Sequence, residues 1–388
     1  MKKQLLEEFT NIFKKSEEVR AFFAPGRVNL IGEHTDYNGG HVFPCALTFG
    51  TYALISKRDD RKVQFYSTNF PDIGVISLSL DDTLTLNKEH DWANYPKGVM
   101  NEFLKKGIKL EQGFDMLFYG NIPNGAGLSS SASVELATAV ALQAIYETDF
   151  SRVELVKMSQ RAENEFVGVS CGIMDQFAIG MGQENQAILL NCQTLDYQYS
   201  PVVLQDASLV IANTNKRRAL ADSKYNERRS ECERALKALQ TEVSIESLGD
   251  LTPEQFEGYR HLIPNEIDQK RAKHAVYENA RTILAVEKLN NGDIAGFGQL
   301  MCESHASLRD DYEVTGFELD TLVEEAVNQE GVIGSRMTGA GFGGCTVSIV
   351  KNEHIEKFIE DVGKNYRDKT GLTAEFYVAN VGDGAKEI

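Results

Sequence analysis

The chain predicts an α+β protein in which helices pack on one face of a mostly antiparallel sheet. Three observations carry that prediction. The first half alternates short strand-like runs with few helices. The second half opens on one strand and passes through four helical segments. It then returns to a strand–turn–strand and closes on a helix and a strand. With 388 residues, 42% hydrophobic and 25% charged, the chain has an ordinary folded composition and is long enough for two domains. No repeat, low-complexity stretch or flexible linker divides it, so the break is a soft one near residues 190–205.

The elements are expected as follows. Residues 1–9 form an amphipathic helix. Strands are expected at 20–24, 51–57, 62–66, 75–80 and at the apolar run 114–119, with a helix over 95–106. A glycine- and serine-rich turn leads into helices at 133–146 and 152–166, and a short apolar run at 187–191 reads as a strand. In the second half, strand 208–213 precedes helices at 220–239, 269–290, 294–308 and 316–328. Strands 332–337 and 346–350, joined by a glycine-rich turn, then a helix at 354–366 and a strand at 373–378, complete the chain.

The charge and the cysteines exclude several function classes. Lys and Arg number 40 and Asp and Glu 57, a net charge of −17, which argues against nucleic acid or an anionic membrane as partner. A local pocket can still be positive within an acidic shell. Cys45, Cys171, Cys192, Cys232, Cys302 and Cys345 form no CxxC pair and read as free thiols in a reducing compartment, not as disulfides or a zinc site. The first nine residues are not a signal peptide, and no apolar run approaches the roughly 20 residues needed to span a bilayer, so a cytoplasmic location is expected. No partner helix or coiled-coil seam shows, which favours a monomer.

The most telling stretch is Pro123-Asn124-Gly125-Ala126-Gly127-Leu128-Ser129-Ser130-Ser131-Ala132-Ser133. A glycine-rich turn that opens a helix presents unpaired N–H groups and the positive end of the helix dipole, an arrangement suited to a nucleotide phosphate. The serine hydroxyls can bond phosphate oxygens or a phosphate-bound metal. It is neither the common P-loop, since no lysine follows the second glycine, nor a hydrolase nucleophile elbow, since the closing glycine is missing.

A second segment, Arg27 to Gly40, packs Glu33, His34 and Asp36 between glycines. Carboxylates and an imidazole so placed suit a neutral polyol, whose hydroxyls they discriminate by charge-assisted bonds. A metal reading is disfavoured because the spacing matches no common zinc pattern. A third segment joins Glu163, at a helix end, through small residues to Asp175, which lies among apolar neighbours. A carboxylate there is either buried with a partner or used in chemistry, and Arg27 is a candidate partner. The turn 339–344 reads as structural, packed against the nucleotide site. Trp92, the only tryptophan, could stack on an adenine or pack in the core.

Taken together, these segments resemble the GHMP kinase superfamily and, within it, the galactokinases. Residues 25–37 resemble the galactokinase signature, 123–133 the superfamily's phosphate loop, 171–177 its catalytic segment and 337–344 its third motif, in matching order along essentially the whole chain. The resemblance implies a two-domain GHMP kinase fold. Residues 1–195 would be an N-terminal mixed sheet with helices (ribosomal protein S5 domain 2-like), and 196–388 a C-terminal antiparallel sheet covered by helices (ferredoxin-like). It implies ATP-dependent phosphorylation of D-galactose at the anomeric hydroxyl, with Mg²⁺ accompanying ATP. Asp175 would be the catalytic carboxylate and Arg27 its partner. Glu33, His34, Thr35, Asp36, Gly172, Asp175 and Tyr225 would contact the sugar. Ser67, Trp92, Gly125, Ala126, Gly127, Leu128, Ser129, Ser130 and Ser131 would contact ATP, and Ser131 and Glu163 would hold the metal. An N-acetylgalactosamine kinase of the same fold is an alternative. A galactose and ATP sensor without turnover is another, although the sequence keeps the Ser131-Ala132 pair that such sensors lack.

Overall fold

The computed structural model describes residues 1–15, 17–123, 126–216 and 221–388. The first half contains α1 (Lys2–Phe13), β1 (Arg20–Asn29), β2 (His41–Val42), β3 (Pro44–Lys57), β4 (Lys62–Ser67), β5 (Ile76–Ser79), α2 (Asn94–Lys105), β6 (Phe114–Gly120), α3 (Ser130–Ile145), α4 (Arg152–Arg161), α5 (Met174–Met181), β7 (Gln186–Asn191) and β8 (Tyr197–Pro201). The second contains β9 (Ala207–Asn213), α6 (Ala221–Leu239), α7 (Pro253–Tyr259), α8 (Glu266–Asn290), α9 (Ile294–Ser307), α10 (Phe317–Val327), β10 (Val332–Thr338), β11 (Cys345–Lys351), α11 (Ile355–Thr370), β12 (Glu375–Ala379) and β13 (Lys386–Glu387).

Strand alternation builds the first sheet, ordered β13-β1-β3-β6-β4-β5 and antiparallel except for the parallel β4–β6 pair. On β3 and β6, Ala53, Ile55, Phe114, Met116 and Phe118 join one core with α2, α3 and α4, while Leu54 and Leu117 point the other way, onto Leu5 and Phe9 of α1. The second sheet, β10-β11-β9-β12, is antiparallel throughout. Leu209, Ile211, Val347 and Ile349 meet α8 and α9 on one face, and Val210, Ala212 and Val350 meet α10 and α11 on the other. Helices therefore cover both faces of each sheet, not one as the sequence suggested. Near-continuous apolar strands such as 208–213 are the reason: they have no polar side to leave in solvent.

Five elements escaped the sequence reading: β2, α5, α7, β8 and β13. All are short. The β7–β8 hairpin, with Gln186 opposite Pro201, straddles residue 195, where the division was expected. The chain end returns to the first sheet, where Phe23 pairs with Lys386. Among the described residues no helix is long and apolar enough to cross a membrane.

Candidate active site

Arg27 sits at the end of β1, just past a register shift between Pro25 and Arg27. Asp175 occupies the first turn of α5. Their side chains meet as a fork, Nε to Oδ1 at 2.8 Å and Nη2 to Oδ2 at 2.9 Å, while Nη1 donates to the Gly127 carbonyl at 2.8 Å. Arg27 is buried and the Asp175 side chain 29% exposed, so the carboxylate faces an opening from an anchored base. Burial pulls the Arg27 pKa down, but Asp175, Glu33 and Asp36 outweigh it and the net shift is upward. Ser129, left-handed at φ 63°, donates its hydroxyl to Asp175 Oδ2 at 2.5 Å.

Around this pair lies a cavity of about 250 Å³, lined by Arg27, Glu33, His34, Asp36, Glu163, Cys171, Gly172, Asp175, Tyr225, Gly339 and Ala340, among others. Burial and then Asp175 push the Asp36 carboxyl up to about 7. Gly172 is required beside it, because a Cβ there would stand 1.8 Å from Asp36 Oδ2. Glu33 Oε1 accepts from Gly339 N at 2.8 Å, Thr338 Oγ1 at 3.2 Å and Arg336 Nη1 at 3.3 Å. His34 has φ 61°, and burial, followed by His274, lowers its pKa to about 3, so its ring is neutral. Its Nε2 donates to Ala340 O at 3.2 Å. The Tyr225 ring, on α6, stands 5.6 Å from that of His34.

A second cavity of about 170 Å³ is lined by Ser67, Asn69, Phe70, Trp92, Tyr95, Phe118, Ser130, Ser131 and Val134, among others. It thus gathers Ser67, Trp92, Ser130 and Ser131 at the start of α3. The Glu163 carboxylate in the first cavity is hydrogen-bonded to Ser131 of the second, so the two meet at that pair. Glu163 is delivered there by a widened turn, 162–167, that continues α4 and ends at Gly168, whose N–H bonds the Glu163 carbonyl at 2.9 Å. Burial and then Asp175 push the Glu163 carboxyl up to about 7. Gln176 Nε2 reaches Glu163 Oε2 at 2.6 Å and Glu135 Oε2 at 3.0 Å, and Glu135 Oε1 is buried without a partner. Two crowded carboxylates beside a serine hydroxyl, with no cation among them, are hard oxygen donors short of positive charge. That set fits Mg²⁺, which is held by one or two protein oxygens while water and phosphate complete its shell.

Several expected residues play other parts. Thr35 does not face the first cavity: it is fully buried and its hydroxyl lies 2.9 Å from Gly32 O and 2.7 Å from His41 O, closing the loop on itself. The Ala126 and Leu128 side chains are in the core, which leaves only their backbone to a ligand. The Ser129 hydroxyl is turned to Asp175, and Ser129 does not line the second cavity. Trp92 packs edge-on against Phe118 at 5.4 Å, with 8% of its surface exposed, so only an edge of the indole borders the cavity. Gly125 lies outside the described residues. The turn 339–344 walls the first cavity through Gly339 and Ala340, and Gly339 also lies against the Gly127 carbonyl of the turn before α3. Arg336, which braces Glu33, gave no signal in the sequence, because an arginine inside an apolar strand pattern reads as an edge residue.

An anchored carboxylate between a polar cavity and an apolar one, with a glycine- and serine-rich helix entry beside them, defines a small-molecule kinase of GHMP type. The GHMP kinases N terminal domain matches residues 94–183 and the GHMP kinases C terminal domain residues 285–368. The galactokinase galactose-binding signature matches residues 7–57. The chain is 60% identical to the galactokinase of Fusobacterium nucleatum over 100% of both chains. It is 58% identical to that of Bacillus subtilis over 100% of this chain and 99% of the relative. The solved structure of Lactococcus lactis galactokinase complexed with galactose matches with a TM-score of 0.98 at 49% identity, over 100% of this chain and 99% of that one. Methanococcus jannaschii mevalonate kinase shares the fold alone, with a TM-score of 0.67 at 19% identity over 95% of this chain and 100% of that one. The chain belongs to the galactokinase family.

Proposed function

We infer that this protein transfers the γ-phosphoryl group of ATP to the anomeric hydroxyl of D-galactose. The observation that carries the reading is the Arg27–Asp175 fork at the meeting of a polar cavity and a cavity bordered by the phosphate-loop helix. The sugar lies in the first cavity, its hydroxyls against Glu33, His34, Asp36, Tyr225 and the backbone at Gly172. Its anomeric oxygen attacks the γ-phosphorus, the bond from phosphorus to the β,γ-bridging oxygen breaks, and ADP leaves. Asp175 accepts the hydroxyl proton, and Arg27 keeps that carboxylate oriented. Most of the catalysis is positioning and charge neutralisation. Ser131 and Glu163 would hold Mg²⁺, which supplies charge neutralisation on the phosphate oxygens. Ser67, Ser130 and the edge of Trp92 border the nucleotide, with the backbone of the turn at Ala126–Gly127 facing the phosphates. Six cysteines in the thiol state support a reducing, cytoplasmic location, and the reading is of a monomer.

The test is ADP release from ATP and Mg²⁺ with galactose, N-acetylgalactosamine, glucose or no sugar. Turnover is expected to be strongest with galactose. Preference for the acetamido sugar would change the substrate, and galactose binding without turnover would overturn the enzyme reading.

A further inference from the structure

Behind the sugar cavity, a chain of largely buried polar groups that the reaction itself does not use leads to His34. Cys232 Sγ of α6 lies 3.2 Å from the Tyr312 hydroxyl, which lies 2.8 Å from the Tyr37 hydroxyl, which lies 2.7 Å from His34 Nδ1. His34 Nε2 ends the chain at the Ala340 carbonyl, 3.2 Å away. Tyr312 and Cys232 are essentially fully buried and His34 is 4% exposed. The three contributors come from different parts of the chain: Tyr37 from the loop after β1, Tyr312 from the turn that follows α9, and Cys232 from α6.

Elementary donor counting gives this chain a direction. A carbonyl cannot donate, so Nε2 carries a proton and gives it to Ala340 O. The ring is neutral: it is buried, and Arg228, Arg336 and His274 all disfavour an imidazolium. Nδ1 is therefore bare and accepts from Tyr37 O–H. The Tyr37 oxygen then accepts from Tyr312 O–H, and the Tyr312 oxygen from the Cys232 thiol. We propose that Tyr37 and Tyr312 are positioning residues that, together with the Ala340 carbonyl, hold His34 in the Nε2–H tautomer, so that the sugar cavity presents an N–H donor beside the Glu33 and Asp36 carboxylates. The bond to Ala340 O is long, and a sugar hydroxyl oxygen entering the cavity takes that N–H in its place. A hydroxyl that accepts from His34 must give its own proton elsewhere, to Glu33 or Asp36, so the lock orders the hydrogen-bond directions around the ligand. Asn38 Nδ2, on the His34 carbonyl at 2.7 Å, holds the left-handed backbone that aims the ring.

This inference rests on the sugar reading of the cavity, and its test separates the two. ¹⁵N-histidine-labelled protein without ligand is examined by long-range ¹H–¹⁵N correlation, with the His34 signals assigned by their loss in His34→Gln. Wild type is expected to show the Nε2–H tautomer, and Tyr37→Phe a mixture of both tautomers. Steady-state kinetics of Tyr37→Phe are expected to show a galactose KM raised roughly five- to twenty-fold, the value of one or two lost hydrogen bonds, with the ATP KM and kcat within about two-fold. Tyr312→Phe, which keeps the Tyr37 hydroxyl but removes its donor, should move both readouts the same way by less, and serves if Tyr37→Phe folds poorly. An unchanged tautomer in Tyr37→Phe, or a changed tautomer with an unchanged galactose KM, overturns the proposal. The expected tautomers with no turnover on galactose in wild type would overturn the sugar reading and leave the lock itself supported.

Discussion

Three donors converge on the Asp175 carboxylate: both arms of the Arg27 fork and the Ser129 hydroxyl. Such a group is oriented with little freedom, which suits a proton acceptor that must meet one hydroxyl. Asp175→Asn keeps the shape and removes the charge. Its kcat is expected to fall at least ~10²-fold while galactose still binds by calorimetry, and near-normal turnover would sink the base assignment. Asp36 carries a different consequence. Its carboxyl is pushed up to about 7 in the folded protein, against an ordinary value of 3.8, so the folded state holds the proton where the unfolded state has lost it. Stability contributed through this group therefore declines as pH rises from about 4 to about 7 and is level above that. Asp36→Asn escapes the penalty. Without ligands it should melt higher than wild type at pH 8, with the gap narrowing as the pH is lowered to 5, as read by differential scanning fluorimetry. A gap that widens toward acid pH would contradict the burial argument.

Strand β10 contributes more to the candidate site than its position in the other sheet suggests. Fully buried Arg336 donates from Nη1 to Asn29 O at 2.9 Å and to Glu33 Oε1 at 3.3 Å, and from Nε to Ser304 Oγ at 3.2 Å. Ser304 in turn donates to Glu278 Oε1 at 2.5 Å, and Glu278 is paired with Arg281 and accepts from Gly32 N at 3.1 Å. Charges alternate along this path from α8 to the loop that carries Glu33, so each charge faces one of opposite sign. Arg336→Met removes one cation and strands Glu33. We expect a loss of about 3–5 kcal/mol in stability, typical of breaking a buried ion pair from one side, together with a raised galactose KM. Chemical denaturation measures the first, and a loss under about 1 kcal/mol would mean the network is dispensable.

At the scale of the molecule, the chain end ties the site to the frame. Ile388 N bonds Ala21 O at 2.9 Å, and Ala385 N and Gly384 N bond Ile179 O and Gly182 O at 2.8 Å each, at the far end of the helix that begins near Asp175. Arg20 holds Glu387 in a fork of 2.8 and 2.7 Å. Removing residues 383–388 is expected to lower Tm by at least about 1 °C, since more than about one kcal/mol of packing and hydrogen bonding is lost and each kcal/mol is worth only about 1 °C in a chain of this length. It should also speed amide exchange in α5 well beyond that in α8. Equal protection of α5 with and without the tail would refute the coupling.

Local chemistry in the sequence determined the α+β class, the long helices and the glycine- and serine-rich entry to α3. Apolar periodicity and a glycine–serine turn are properties of contiguous residues and need no partner to be read. Glu33, Asp36 and Asp175 were legible for the same reason, as polar groups in glycine-rich or apolar company. What the sequence did not reveal depends on contacts between distant segments. Thr35 stands in the same signature as Glu33, yet the loop folds its hydroxyl inward. Ser129 belongs to the phosphate turn, yet its left-handed backbone sends it to Asp175. Ala340 lines the first cavity, and Arg336, Tyr312 and Cys232 back its wall, only because β10, α6 and the segments that follow α9 and β10 pack against the first half. Their placement is a matter of tertiary packing, decided by which buried donors and acceptors must find one another once water has been excluded.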